Sequence, residues 1–215
     1  MPRRRPLLLI AAMFALSVGL AAQAKPVAVV QPGAPGTASR TMAKVPAFHD
    51  PAFTPADVEF MQGMIHHHAQ ALTMVAMIPS HSTNRQLRML GDKIQLAQRD
   101  EMKMMKEWLK ARGQPVPMDM PDGGMMMGSA TMAPMPGMLT PAQMKALAAA
   151  KGPAFDKLFL TGMIQHHTGA LNMVADLRAQ GGGKEINIAD FLIGVDTDQR
   201  MEIDRMNGML GRRAQ

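Results

Sequence analysis

The 215-residue chain has no cysteine and no tyrosine, and it holds only 7 Phe and 1 Trp. Without thiols there are no disulfides, no zinc–thiolate sites, no cysteine nucleophile and no C-x-x-C-H haem attachment. With so few aromatics, and no basic stripe interleaved with them, nucleic acid is not an expected partner. Also missing are the H-E-x-x-H pattern of a zinc protease, the Glu-x-x-His pairs of a carboxylate di-iron bundle, and a nucleophile elbow. Long apolar runs are absent as well. The longest, "PLLLIAAMFALSVGL", falls short of the about 20 residues that a membrane span requires.

That run belongs to a targeting segment. Residues 1–24 join a basic "MPRRR", the apolar run and "AQA" at 22–24, which is an A-x-A cleavage site, so they read as a signal peptide. An uncleaved N-terminal anchor is the alternative. Cleavage after Ala24 leaves no stable membrane span, and it lowers the formal net charge from +6 to +3 by removing Arg3, Arg4 and Arg5.

What the chain has in excess is methionine, 25 residues in all, together with a repeated phrase. "FMQGMIHHHAQALTMVA" recurs 99 residues later as "FLTGMIQHHTGALNMVA", and "QRDEMKMMKEWL" recurs at an offset of 101 as "QRMEIDRMNGML". Each pair reads as a helical hairpin. The first hairpin covers 54–112. Thr54, Pro55 and Asp57 start its first helix, and Pro79 is expected to end that helix after Ile78. A short Ala-rich helix opened by "TPAQ" and the second hairpin fill 140–211, with "GGG" at 181–183 as the loop. Nothing alternates with a period of two, so the fold expected is all-α: a four-helix bundle of two repeated hairpins forming one domain. Residues 25–53 read as a flexible tether. Residues 113–139, rich in Met, Pro and Gly, read as a disordered linker.

Helical phase places the histidines. At about 100° per residue from Met64, His67 falls at about 300°, His68 at about 40°, and the apolar Phe60, Ala71 and Val75 within about 40° of zero. His66 falls at about 200°, on the opposite side, which accounts for Gln165 replacing it in the second copy. Met64, His67 and His68, with their counterparts Met163, His166 and His167, therefore share the core face. Imidazoles and thioethers projected inward suit a soft-to-borderline metal ion. The alternative is a polar layer in which Gln98, Glu101, Gln199 or Glu202 hydrogen-bonds each ring, and a metal-bound His usually takes such a partner too. Met102, Met105, Met206 and Met209 lie on inner faces, where packing and metal binding weigh equally. Met61, Met74 and Met173 complete the candidate set, whereas Met104 faces outward. Eight further methionines sit in the 113–139 segment, a poor core former. There, thioethers on a chain able to wrap an ion fit Cu(I) or Ag(I), and a bare tether or an oxidant trap is the alternative.

Two copies of F-x-x-x-M-I-x-H-H-x-x-A-L-x-M, each followed by Q-R-x-E-(M/I)-x-x-M, resemble the bacterial domain of unknown function 305 family over about 54–112 and 153–211. The resemblance implies a ferritin-like four-helix bundle. It further implies an exported, periplasmic or secreted protein that binds copper as Cu(I) or Cu(II), and silver, in copper tolerance or homeostasis. Metal ions, and other periplasmic copper-handling proteins, are then the expected partners. The reading is non-catalytic sequestration, buffering or transfer of Cu(I). A metal-dependent cuprous oxidase and a metal-free helical interaction module are its alternatives. The mature exported chain is expected to begin at Lys25, which intact-mass measurement of the extracytoplasmic fraction checks; residues 1–24 retained on the membrane would establish the anchor instead.

Overall fold

The structure is a computed structural model that describes residues 29–42, 49–119, 125–126 and 135–211, so the expected signal peptide lies outside the described residues. The chain divides into two units, residues 1–48 and 49–215. In the first, β1 (Val29–Gln31) pairs antiparallel with β2 (Arg40–Met42), Val30 facing Thr41. The sequence reads this stretch as part of a flexible tether. The departure has a local cause: β-branched residues flank a Pro/Gly-rich turn in which Gly36 takes a φ of 86° and the Thr37 hydroxyl donates to the Ala34 carbonyl at 2.6 Å.

The second unit is helical. Its order is α1 (Pro55–His81), α2 (Arg85–Ala111), the two-residue strands β3 (Met118–Asp119) and β4 (Met125–Met126), α3 (Pro141–Ala149), α4 (Gly152–Ala179) and α5 (Ile186–Met209). Short polar side chains set the starts. Thr54 and Asp57 form a capping box on α1, Thr140 and Gln143 another on α3, while Asn84 and Glu185 cap α2 and α5. Pro79 does not stop α1, which continues to His81. Proline removes one N–H and crowds the preceding turn, but so near the helix end one lost bond is tolerable. The Arg88 guanidinium serves carbonyls left open at the helix end, donating to Pro79 at 3.3 Å and to Ser82 at 2.7 Å.

α1 packs along α2 and α4 along α5, the two hairpins meet through α1 and α4, and α3 lies against α4. Two apolar cores result. One gathers Phe60, Ile65, Trp108, Val174 and Phe191. The other gathers Val75, Ile78, Leu90, Phe155 and Phe159. Every long helix contributes to both. α1 enters the first core with residues 60–65 and the second with 71–78, whereas α4 enters the second with 155–163 and the first with 170–177.

Polar clamps close the end beyond the first core. Buried Glu185 accepts from the Trp108 indole at 2.9 Å and pairs with Arg112 at 2.6 Å, tying the end of α2 to the start of α5. Buried Asp57 accepts from the Gly183 backbone N–H at 2.6 Å, tying the start of α1 to the α4–α5 loop. Replacing Glu185 by Ala strands a buried indole N–H and a half-buried guanidinium. A loss of about 2–3 kcal/mol in urea-unfolding free energy is expected, because hydrogen bonds to charged groups contribute about 1.5–3 kcal/mol.

Candidate metal centre

Between the two cores lies a polar layer. His67 and His68 interrupt α1 where it leaves one core for the other, and His166 and His167 do the same in α4. Opposite them, α2 contributes Gln98 and Glu101, and α5 contributes Gln199 and Glu202. All four rings are fully buried, at 0 % exposure. His67 and His166 stack across the hairpin interface with centroids 3.7 Å apart and planes inclined by 40°.

Each ring spends one nitrogen on an acceptor. Nε2 of His68 lies 2.6 Å from Glu101, and Nε2 of His167 lies 2.5 Å from Glu202. Nε2 of His67 meets the Pro136 carbonyl at 3.0 Å, and Nε2 of His166 meets the His67 carbonyl at 2.9 Å. Carbonyls and carboxylates only accept, so every Nε2 carries the proton. The Nδ1 atoms of all four rings are buried and without a hydrogen-bond partner. A buried acceptor left unpaired costs free energy, and four in one layer is a chemical feature rather than a packing accident. Beside them, both amide atoms of Gln98 and Oε1 of Gln199 are also buried and unpartnered.

Burial holds the inner pair neutral. It pushes the His67 pKa down to about 3, helped by His68 and His167 and opposed by the bond to Pro136. It pushes His166 well below 6.5, helped by His67, His167 and His68 and opposed by the bond to the His67 carbonyl.

The methionines divide between the two cores. Met61, Met64, Met102 and Met105 are buried in the first, and Met74, Met163 and Met206 in the second. Met173 and Met209 are only half-buried, packed against the first and second core respectively. Met104, read as outward, packs against the first core too. Nor does His66 face solvent: it is half-buried, its Nε2 lacks a partner, and burial lowers its pKa. Helical phase could not see this, because the chain leaving α2 returns over that face. Gln62, one turn before His66 on the same side, is buried and donates to the Pro115 carbonyl at 2.8 Å. Among the described residues, no three His, Cys, Asp or Glu side chains converge as a ready-made metal cluster.

Sequence reasoning missed the far end of the 113–139 segment. Instead of a free linker, residues 135–139 form a strap across α1 and α4. Leu139 is buried, and its backbone makes two bonds with the Gln70 amide, at 2.7 and 3.0 Å. The Gln165 amide donates to the Gly137 carbonyl at 3.3 Å, and the strap supplies the Pro136 carbonyl to His67. Gly137, at φ 75°, passes so close to Gly169 that a Cβ on Gly169 would stand 2.1 Å from the Pro136 oxygen. One signal was available: Gln70, Gln165 and Gly169 all sit where the two copies of the repeat disagree. Of the linker methionines, Met118, Met125 and Met126 lie in β3 and β4, Met135 and Met138 are half-buried in the strap, and Met120, Met127 and Met132 lie outside the described residues.

Residues 57–210 match the family Domain of unknown function (DUF305). The chain belongs to this family. Its fold is similar to that of a DUF305 fragment from Deinococcus radiodurans, with 32% identity over 75% of this chain and 99% of the other and a TM-score of 0.63. It is likewise similar to a DUF305 protein of Streptomyces coelicolor described as secreted, with 26% identity, coverage of 74% and 97%, and a TM-score of 0.61. CopM in its Cu(I)-bound form aligns at 25% identity over 71% of this chain and 94% of the other, with a TM-score of 0.54. CopM is also solved in Cu(II)-bound and Ag-bound forms. No curated protein matches the chain. Among the described residues, no helix is long and apolar enough to cross a membrane.

The neutral inner rings set a pH dependence. In the unfolded chain both take up protons near 6.5, which the folded state refuses. Their contribution to stability is therefore complete above 6.5 and is lost as the pH falls below it, for His67 through a window that reaches down to about 3. Urea midpoints should hold level above neutrality and drop through this acid window, and His67→Gln should make the drop shallower.

Proposed function

We propose that this protein is an exported copper-binding protein that sequesters, buffers or hands on Cu(I), with capacity for Ag(I), and that it has no catalytic turnover. The observation that carries the proposal is the set of four buried, unpartnered Nδ1 atoms in a layer flanked by buried methionines. A ring that donates Nε2–H to a carboxylate or carbonyl offers Nδ1 as a metal donor of fixed tautomer, which is how metal-binding histidines are generally held. Neutral imidazole and thioether bind a soft monovalent ion without losing a proton, so binding survives mild acidity. The copper and silver forms of CopM, a structural relative, support the same ligand class. In this reading the two hairpins work as one ferritin-like four-helix bundle, residues 54–112 and 140–211 form one domain, and the Met-rich segment adds thioether capacity. Metal ions are the partners, with periplasmic copper-handling proteins as donors or acceptors.

A second reading draws support from the His68–Glu101 and His167–Glu202 bonds and from the lack of a ready-made cluster. In it the layer is a metal-free polar core that fixes the register of the hairpins. Anaerobic Cu(I) titration against a competing chelator separates the two. His67→Ala and His166→Ala should each weaken the tightest site by more than the about 10–100-fold typical of losing a supporting group, while His49→Ala, at an exposed position, should leave it unchanged. No uptake by the unmodified protein would favour the metal-free layer, and oxygen consumption during Cu(I) addition would favour an oxidase.

A further inference from the structure

The strap is built against the layer at a single ring. Its Pro136 carbonyl faces Nε2 of His67, while the stacked partner ring, His166, is served by the α1 backbone. His68 and His167 are served by carboxylates on α2 and α5. His67 is therefore the one buried imidazole whose proton is placed by a segment outside the long helices.

That segment is held in place on three sides. The Gln70 amide clamps both backbone groups of Leu139. The Gln165 amide reaches Gly137 and, at 3.4 Å, Met138. Leu139 itself fills space beside Gly162, where a Cβ would meet its side chain at 3.0 Å. Backbone meets backbone at Gly137 and Gly169, so no side chain on either residue would allow the present approach. None of these groups is a soft ligand. Their shared effect is to set one carbonyl oxygen in front of one ring nitrogen.

We propose that residues 135–139 act as the positioning element of the Cu(I) centre, the Pro136 carbonyl locking His67 in the Nε2–H tautomer so that its buried Nδ1 is the donor. The proposal rests on the copper reading above. It makes the two halves of the repeat unequal: the first-copy inner ring depends on the Met-rich segment for its tautomer, and the second-copy ring does not. It also makes Gln70, Gln165 and Gly169, where the copies differ, specific to metal binding without touching metal.

Gly169→Ala tests this, because its methyl must displace the Pro136 oxygen while leaving the four histidines and the helix methionines unsubstituted. Gln70→Leu is the second variant, removing the Leu139 clamp without steric conflict. In metal-free protein, 15N-resolved imidazole NMR reads the tautomers. His67 should be a single Nε2–H form in the unmodified chain and a mixture in both variants, with His167, held by Glu202, unchanged as the internal reference. Anaerobic Cu(I) competition should then show affinity for the tightest site falling by about 10–100-fold in both variants. A His67 that keeps its single tautomer in both variants would overturn the proposal, and so would a mixed tautomer with unaltered Cu(I) affinity. An unmodified protein that takes up no Cu(I) would overturn the copper reading along with it.

Discussion

Four imidazoles sit between two hydrophobic cores, and almost everything distinctive about this structure answers to that burial. Eight ring nitrogens must be accounted for where water is excluded. Four are satisfied by groups of three different kinds: carboxylates on facing helices, the carbonyl of a neighbouring helical residue, and the carbonyl of an inserted strap. The other four are satisfied by nothing in the polypeptide. A layer of leucines would carry no such obligations, and the proposed copper ion would give these four nitrogens a partner. The two cores on either side make the layer affordable, since each is a full apolar cluster with its own aromatic or aliphatic anchors.

Much of this was legible in the sequence. The capping residues Thr54 and Thr140 located two helix starts, and the apolar phase put His67, His68, His166 and His167 on the inner face. Glu101 and Glu202 were legible as hydrogen-bond partners because a repeated Q-R-x-E places a carboxylate opposite each histidine pair. The errors share a physical origin. Phase angles and breaker rules describe one helix in isolation, and His66, Met104 and Pro79 are governed by what lies against the helix or by where in the helix they fall. The strap was invisible for a related reason. Residues 135–139 have no periodicity of their own, and their order comes from Gln70 and Gly169, which are distant in sequence.

The family assignment and the geometry bear on function from separate directions. The DUF305 match and the likeness to CopM speak to family and fold. The hydrogen bonds at Nε2 speak to how this chain would present its Nδ1 donors. The methionines fit the same picture. They are distributed through both cores rather than collected at one point, as flexible, polarisable side chains on either side of the layer.

The close passage of Gly137 over Gly169 has a consequence for the ancestry of the fold. A chain made of two copies of one hairpin starts with interchangeable halves, and either could in principle serve as first or second. Once a backbone segment is threaded across one copy, that equivalence ends. Position 169 can no longer carry the glutamine found at the matching position 70, because any side chain there collides with the strap. Position 70 in turn needs that glutamine to grip Leu139. The two halves have thereby become unequal, since identical hairpins could not supply both the glutamine that grips the strap and the glycine that admits it at one and the same repeat position.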